Sequence, residues 1–254
     1  MPVLATHSGA IFYAQRGKAG PALLCLHGAG GTHRHWGNQL RDLSDIARVY
    51  ALDLPGHGRS SATAAEPASV AGYSAALLDF MDACGLDQAV LVGHSMGGAI
   101  ALWTALDAPG RVLGLGLVGT GARLRVAPAI LGGFDSDLAA TIRLIVDYAY
   151  APATPDALLR QAEADYAGAN PVVFRNDFSA CDSFDIRARL AEIHCPTAII
   201  CGSADRLTPP KYSETLRDGI PGATLTLVPN AGHMAMVEQP DAVSQALREL
   251  LRSL

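Results

Sequence analysis

No stretch of this 254-residue chain approaches the roughly 18 to 20 consecutive apolar residues that a bilayer-spanning helix needs, although half of its residues are hydrophobic. A membrane span is therefore not expected. Basic residues are neither abundant nor clustered: 19 Lys and Arg stand against 24 Asp and Glu, a formal charge of -5. The positive stripe that phosphate backbones or anionic lipid demand is missing, which argues against nucleic acid or a membrane surface as partner. The five cysteines, Cys25, Cys84, Cys181, Cys195 and Cys201, are odd in number, widely scattered and without a Cys-x-x-Cys pair. That pattern speaks against a disulfide framework and fits a reduced, cytoplasmic compartment. The opening "MPVLATHSGAIFYAQRG" has neither a basic n-region nor a long apolar h-region, so it does not read as a signal peptide, and a soluble, unprocessed protein is expected. Internal repeats, low-complexity tracts and clear linkers are absent as well.

What the chain does have is length and apolar content enough for one large α/β domain or two small ones. Short β-rich runs recur at 11–15, 22–26 ("ALLCL"), 49–52, 89–92, 113–118, 197–201 ("TAIIC") and 224–228. Several lack a polar face, as strands do when helices cover both sides of a parallel sheet. Segments with helical spacing lie between them, at 68–84, 96–107, 210–218 and 240–253. Strand alternating with helix implies a mostly parallel α/β sheet. The rhythm breaks between about Gly121 and His194, where "SDLAATIRLIVDYAY" and "DALLRQAEADY" read as helices punctuated by Pro and Gly. This stretch is expected to be a helical insertion.

The stretch "AVLVGHSMGGAIALW", residues 89–103, puts a hydroxyl between two glycines where a strand meets a helix. A turn that sharp forces its central residue into strained backbone geometry and pushes its side chain outward, while the flanking glycines leave room for the close passage. A bare G-x-S-x-G arises by accident in roughly one chain in ten of this length, so the motif alone decides nothing. Its context is more telling, because a strand precedes Gly93 and a helix follows Gly97. Serine at neutral pH is a poor nucleophile and needs a base, itself oriented by a third group. "TAIICGSADRLTPP" places Asp205 just past one apolar strand, and "TLTLVPNAGHMAMVEQP" places His233 after the next. In a parallel sheet both loops emerge at the edge where Ser95 sits. The order along the chain is nucleophile, acid, base.

On these blocks, together with His27-Gly28-Ala29-Gly30-Gly31 and Asp53-Leu54-Pro55-Gly56-His57-Gly58-Arg59-Ser60, the chain resembles the α/β-hydrolase family over nearly its whole length. The resemblance implies a central, mostly parallel sheet of about eight strands flanked by helices. It implies a core of residues 1–120 and 195–254 and a helical cap of residues 121–194. It also implies a Ser95-His233-Asp205 triad and an oxyanion hole made by the backbone N–H groups of Ala29 and Met96, with Ala29 preferred to Gly30. The other position the acid takes in that family, after the sixth strand, is filled here by Gly119-Thr120-Gly121. The expected activity is hydrolysis of a small carboxylic ester through an acyl-enzyme, with no metal and no organic cofactor. Enol-lactone or carbon–carbon bond hydrolysis, cofactor-free perhydrolysis and a slow-turnover ligand sensor remain open beside it, and the oligomeric state is not readable.

The remaining candidates have plainer readings. His94, beside the nucleophile, is expected to be a packing and hydrogen-bonding support rather than a base, and Asp53 to Ser60 to be structural. His33, His35 and His57 lack the companions of a familiar metal site. Gly114-x-Gly116-x-x-Gly119 imitates a dinucleotide fingerprint, but apolar residues run through it as in a strand. Leu131, Phe134, Ile142, Ile145 and Tyr148 are expected mostly to pack helices. Arg34, Arg123, Arg125 and Lys211 are read as solvated charges, with a substrate carboxylate as the alternative.

Overall fold

The computed structural model describes residues 3–61 and 69–254. Its eight strands are β1 (Val3–Thr6), β2 (Gly9–Arg16), β3 (Ala22–Leu26), β4 (Arg48–Leu52), β5 (Ala89–His94), β6 (Val112–Val118), β7 (Thr197–Gly202) and β8 (Thr224–Val228). They form one sheet in the order β1-β2-β4-β3-β5-β6-β7-β8. Only β2 runs against the rest, pairing antiparallel with both β1 and β4. This is the mostly parallel sheet that the sequence implies. The four-residue β1, paired only along one edge, carries too little pattern to be read from sequence.

The apolar runs lack a polar face because both faces of the sheet are covered. Leu24, Leu26, Leu91, Leu115, Leu117 and Ile199 join one core with helices α2 (Val70–Ala83) and α3 (Met96–Asp107). Their strand neighbours Leu23, Cys25, Val90, Val92, Ala198 and Ile200 join a second core on the other face. That face carries α1 (Gly37–Asp42) and α10 (Pro240–Arg252), which contribute Leu40, Val243 and Leu247. Successive side chains of a strand point to opposite faces, so both layers draw on the same five- to seven-residue segments. The expected helix at 68–84 starts at Val70, where the Ser69 hydroxyl accepts from the Gly72 N–H at 3.0 Å; residue 68 lies outside the described residues.

Between β6 and β7 the chain forms four helices, α4 (Pro128–Ser136), α5 (Leu138–Ala149), α6 (Asp156–Ala167) and α7 (Pro171–Asp182), then a 3-10 turn at Arg187–Glu192. Backbone bonds from Ile186 N–H to Ala122 O at 2.8 Å and from Leu124 N–H to Phe184 O at 3.4 Å tie its entry to its exit. In α5, Ile142, Ile145, Val146 and Ala149 follow i, i+3, i+4, i+7 spacing and are buried, and Asp137 caps the Ala140 N–H. The remaining helices are α8 (Pro210–Gly219) and the short α9 (Ala235–Glu238). No helix among the described residues is long and apolar enough to cross a membrane.

The connection reverses direction at β3, whose neighbours are β4 on one side and β5 on the other. At such a switch point the loops leaving the carboxyl ends of adjacent strands diverge and open a crevice. The residues following β3, β5, β6, β7 and β8 all gather at that edge. Phe80, fully buried, packs edge-on against Tyr13 at 5.2 Å between ring centroids. Phe80→Ala is expected to lower stability by about 3–5 kcal/mol in urea unfolding, with the fold retained.

Candidate active site

Ser95 occupies the turn between β5 and α3 with φ 53° and ψ −115°. Its N–H donates to Val118 O at 3.0 Å, and its carbonyl accepts from the Thr120 hydroxyl at 2.8 Å. Glycine is required on either side. A β-carbon at Gly93 would overlap the Gly97 carbonyl, and one at Gly97 would overlap the Leu26 carbonyl on β3. The turn thus fits against the neighbouring strand only without those atoms. Met96 opens α3, so its N–H is one of the first-turn donors that have no partner within the helix.

Asp205 and His233 meet. His233 Nδ1 lies 2.9 Å from Asp205 Oδ2, with both side chains buried. The other carboxylate oxygen accepts from the backbone N–H groups of Leu207 at 2.9 Å and Thr208 at 2.8 Å. Asp205 is therefore a turn former and an orienter of His233 at once, one role to each oxygen. The Thr208 hydroxyl donates to Oδ2 at 2.8 Å and lies 3.2 Å from His233 Nδ1. With Nδ1–H facing the carboxylate, Nε2 is left as the basic nitrogen.

The His233 loop is clamped from both sides. Its own N–H donates to Ala149 O at 2.8 Å, at the end of α5, and its carbonyl accepts from His94 Nε2 at 3.0 Å. Glu238 accepts from Gly232 N–H and Ala151 N–H, each at 2.8 Å. His94 accordingly braces the loop, as expected, and burial together with the nearby His233 holds it well below the ordinary histidine range. Ser95 and His233 line the same cavity, though among the described residues no hydrogen bond joins them.

The loop after β3 lies against this turn, with Gly28 packed on His94 and Ser95. His27 fixes its start: Nε2 accepts from Leu54 N–H at 3.0 Å while Nδ1 donates to Gly28 O at 2.8 Å. Gly31 N–H donates to the same carbonyl at 3.0 Å. Gly30 N–H is occupied by the Asp177 carboxylate at 2.9 Å. Among the described residues the Ala29 N–H meets no acceptor.

The cavity measures about 500 Å³ and is mainly apolar. Leu124, Ile130, Leu144, Ile145, Tyr148 and Phe178 reach it from the segment between β6 and β7. Ile145 and Tyr148 thus face the cavity, whereas Phe134 packs edge-on against Phe174 and tilted against Phe178 and Ile142 is core. Of the basic residues singled out from sequence, Arg125 lines the cavity and, with Arg123 and Lys211, an adjoining depression; Arg34 lines neither. Arg206 also lines the cavity, its guanidinium 4.3 Å from the Tyr148 ring centroid. His33 is bound to Asp53 at 2.8 Å, and the Asp53 carboxylate also accepts from Arg59 N–H at 3.0 Å. These contacts give the Asp53 to Ser60 block a structural part. Gly114 and Gly116 lie within β6, as the apolar pattern indicates.

Two residues of the site were not legible in advance. Thr208 had only its position three residues beyond Asp205 to mark it. Asp177 had a clearer signal, an acid on the buried stripe of α7 between Phe174 and Cys181. Burial opposes a charge on His57, but the Asp177 carboxylate 2.7 Å away raises its pKa above the ordinary histidine value.

Similarity to known proteins bears on the same architecture. The dihydrolipoyllysine-residue acetyltransferase component of the acetoin cleaving system of Cupriavidus necator is 34% identical over 94% of this chain, which spans 66% of that longer protein. RutD of Caulobacter sp. (strain K31), which carries the provisional name carbamate hydrolase, is 33% identical, with 88% of each chain covered. The solved structure of a thermophilic esterase matches with a TM-score of 0.88 at 32% identity, covering 99% of this chain and 97% of that one. The model of the alpha/beta hydrolase family matches residues 23–246, and this chain belongs to that family.

Proposed function

We propose that this protein is a serine hydrolase that cleaves a small carboxylic ester through an acyl-enzyme. The observation that carries the reading is the hydrogen-bonded Asp205–His233 pair opening onto the cavity that Ser95 lines. His233 Nε2 takes the Ser95 proton as the hydroxyl oxygen attacks the ester carbonyl, and Asp205 stabilises the imidazolium that forms. The tetrahedral oxyanion is held by the N–H groups of Ala29 and Met96. Gly30, the alternative donor, is committed to Asp177, which supports Ala29. His233 then gives its proton to the leaving alcohol. A water deprotonated by the same imidazole attacks the acyl-serine, and the acid departs with Ser95 reprotonated.

No cofactor is needed for these steps. In this reading residues 1–120 and 195–254 are the hydrolase core, and residues 121–194 form the cap that supplies most of the apolar lining. An apolar acyl group fits that lining, and the thermophilic esterase supports an ester. The name carried by the Caulobacter relative makes a carbamate the next substrate to try.

Ser95→Ala is expected to cut turnover of nitrophenyl esters by about 10,000-fold or more with an unchanged melting temperature, and Asp205→Asn by a similar factor. Turnover that survives in Ser95→Ala overturns the reading. Across nitrophenyl esters of graded acyl length, beside a carbamate, an enol-lactone and a diketone, steady-state kcat/KM is expected to be highest for an ester. A preference for the lactone or diketone replaces the ester, and a single slow covalent event in place of turnover points to a sensor.

A further inference from the structure

Asp177 is fully buried, yet it sits on a helix stripe where an apolar residue would pack as well. It accepts three hydrogen bonds from three separate parts of the core. Gly30 N–H donates at 2.9 Å from the loop after β3, His57 Nε2 at 2.7 Å from the loop after β4, and Tyr73 Oη at 2.7 Å from α2. Leaving a carboxylate unpaired in such a place costs several kcal/mol, and the three donors offset that cost.

His57 completes the arrangement. Its Nδ1 faces the Pro55 carbonyl at 3.0 Å, which can only accept, and its Nε2 faces the carboxylate. Both ring nitrogens therefore carry hydrogen, and His57 and Asp177 form a neutral ion pair with side chains 3% and 0% exposed. A bare carboxylate on the peptide next to an oxyanion donor would oppose the developing charge; paired with an imidazolium, it opposes it less.

The consequence falls on Ala29. Its preceding peptide is pinned through Gly28 O by Gly31 N–H and His27, and its following peptide through Gly30 N–H by Asp177. Phe174, one turn before Asp177 on α7, packs so closely on Gly30 that a β-carbon there would overlap its ring. We infer that Asp177 is a positioning residue that, from the inserted helix α7, holds the Ala29–Gly30 peptide so that the Ala29 N–H points at the oxyanion. This rests on the acyl-transfer reading above. It makes the oxyanion hole a joint product of the core and of the helices over it, so displacing α7 disassembles the hole.

The test compares Asp177→Ala, Asp177→Asn and Ser95→Ala on one nitrophenyl ester, with melting temperatures taken for each. Asp177→Ala is expected to lower kcat by about 100-fold, the cost of one oxyanion donor, while KM changes little. Asp177→Asn keeps an acceptor for Gly30 and is expected to retain about tenfold more activity than the alanine variant, and it carries the test if the alanine variant does not fold. The affinity of a trifluoromethyl ketone, which makes an oxyanion on Ser95, is expected to fall with kcat. A lowered melting temperature with kcat and ketone affinity unchanged in both Asp177 variants overturns the inference, because a purely structural carboxylate gives that result. Turnover surviving in Ser95→Ala is a separate outcome that removes the acyl-transfer reading itself.

Discussion

The backbone at Ser95 is held at a positive φ that a residue with a β-carbon seldom adopts, at a cost of about 1–3 kcal/mol. The surrounding structure over-determines it. Val118 and Thr120, at the end of the neighbouring strand, bind its N–H and carbonyl, and α3 starts immediately after it. The strain is met by groups at the end of β6 and by the close approach of β3, so the turn depends on both neighbouring strands. The hydroxyl is thereby aimed out of the sheet before any ligand arrives.

A second regularity concerns the buried and half-buried carboxylates around the site. Asp53, Asp177, Asp205 and Glu238 each accept at least one bond from a backbone N–H and at least one from a side chain. Loops carry unpaired backbone donors, and a carboxylate with two oxygens can satisfy a donor with one while orienting an imidazole with the other. The pairing of His233 with Asp205 divides the oxygens in that way; in Asp177 one oxygen takes both Gly30 N–H and His57 while the other takes Tyr73. The exposed ion pairs of the surface, such as Arg189–Glu192, contribute little by comparison.

The helices between β6 and β7 are bound into this scheme from two directions. The end of α5 accepts from His233 N–H, and α7 accepts from Gly30 N–H through Asp177. The His233 loop and the loop after β3 are thus both braced by the segment that also lines the cavity.

Much of this was legible in the chain itself. Alternating apolar runs and helical spacing determine the parallel sheet, because a strand buried on both faces must be apolar throughout, and β3, α3 and β8 begin and end where that pattern does. The glycines around Ser95 likewise announce a close passage in the sequence. The parts of Asp177 and Thr208 were decided only by tertiary structure. Their partners lie in part on other segments, 147 residues away for Gly30 and Asp177, and a hydrogen bond across that separation leaves no periodicity. The sequence determines which residues are apolar, strained or titratable; which of the buried ones face one another is fixed only when the loops close.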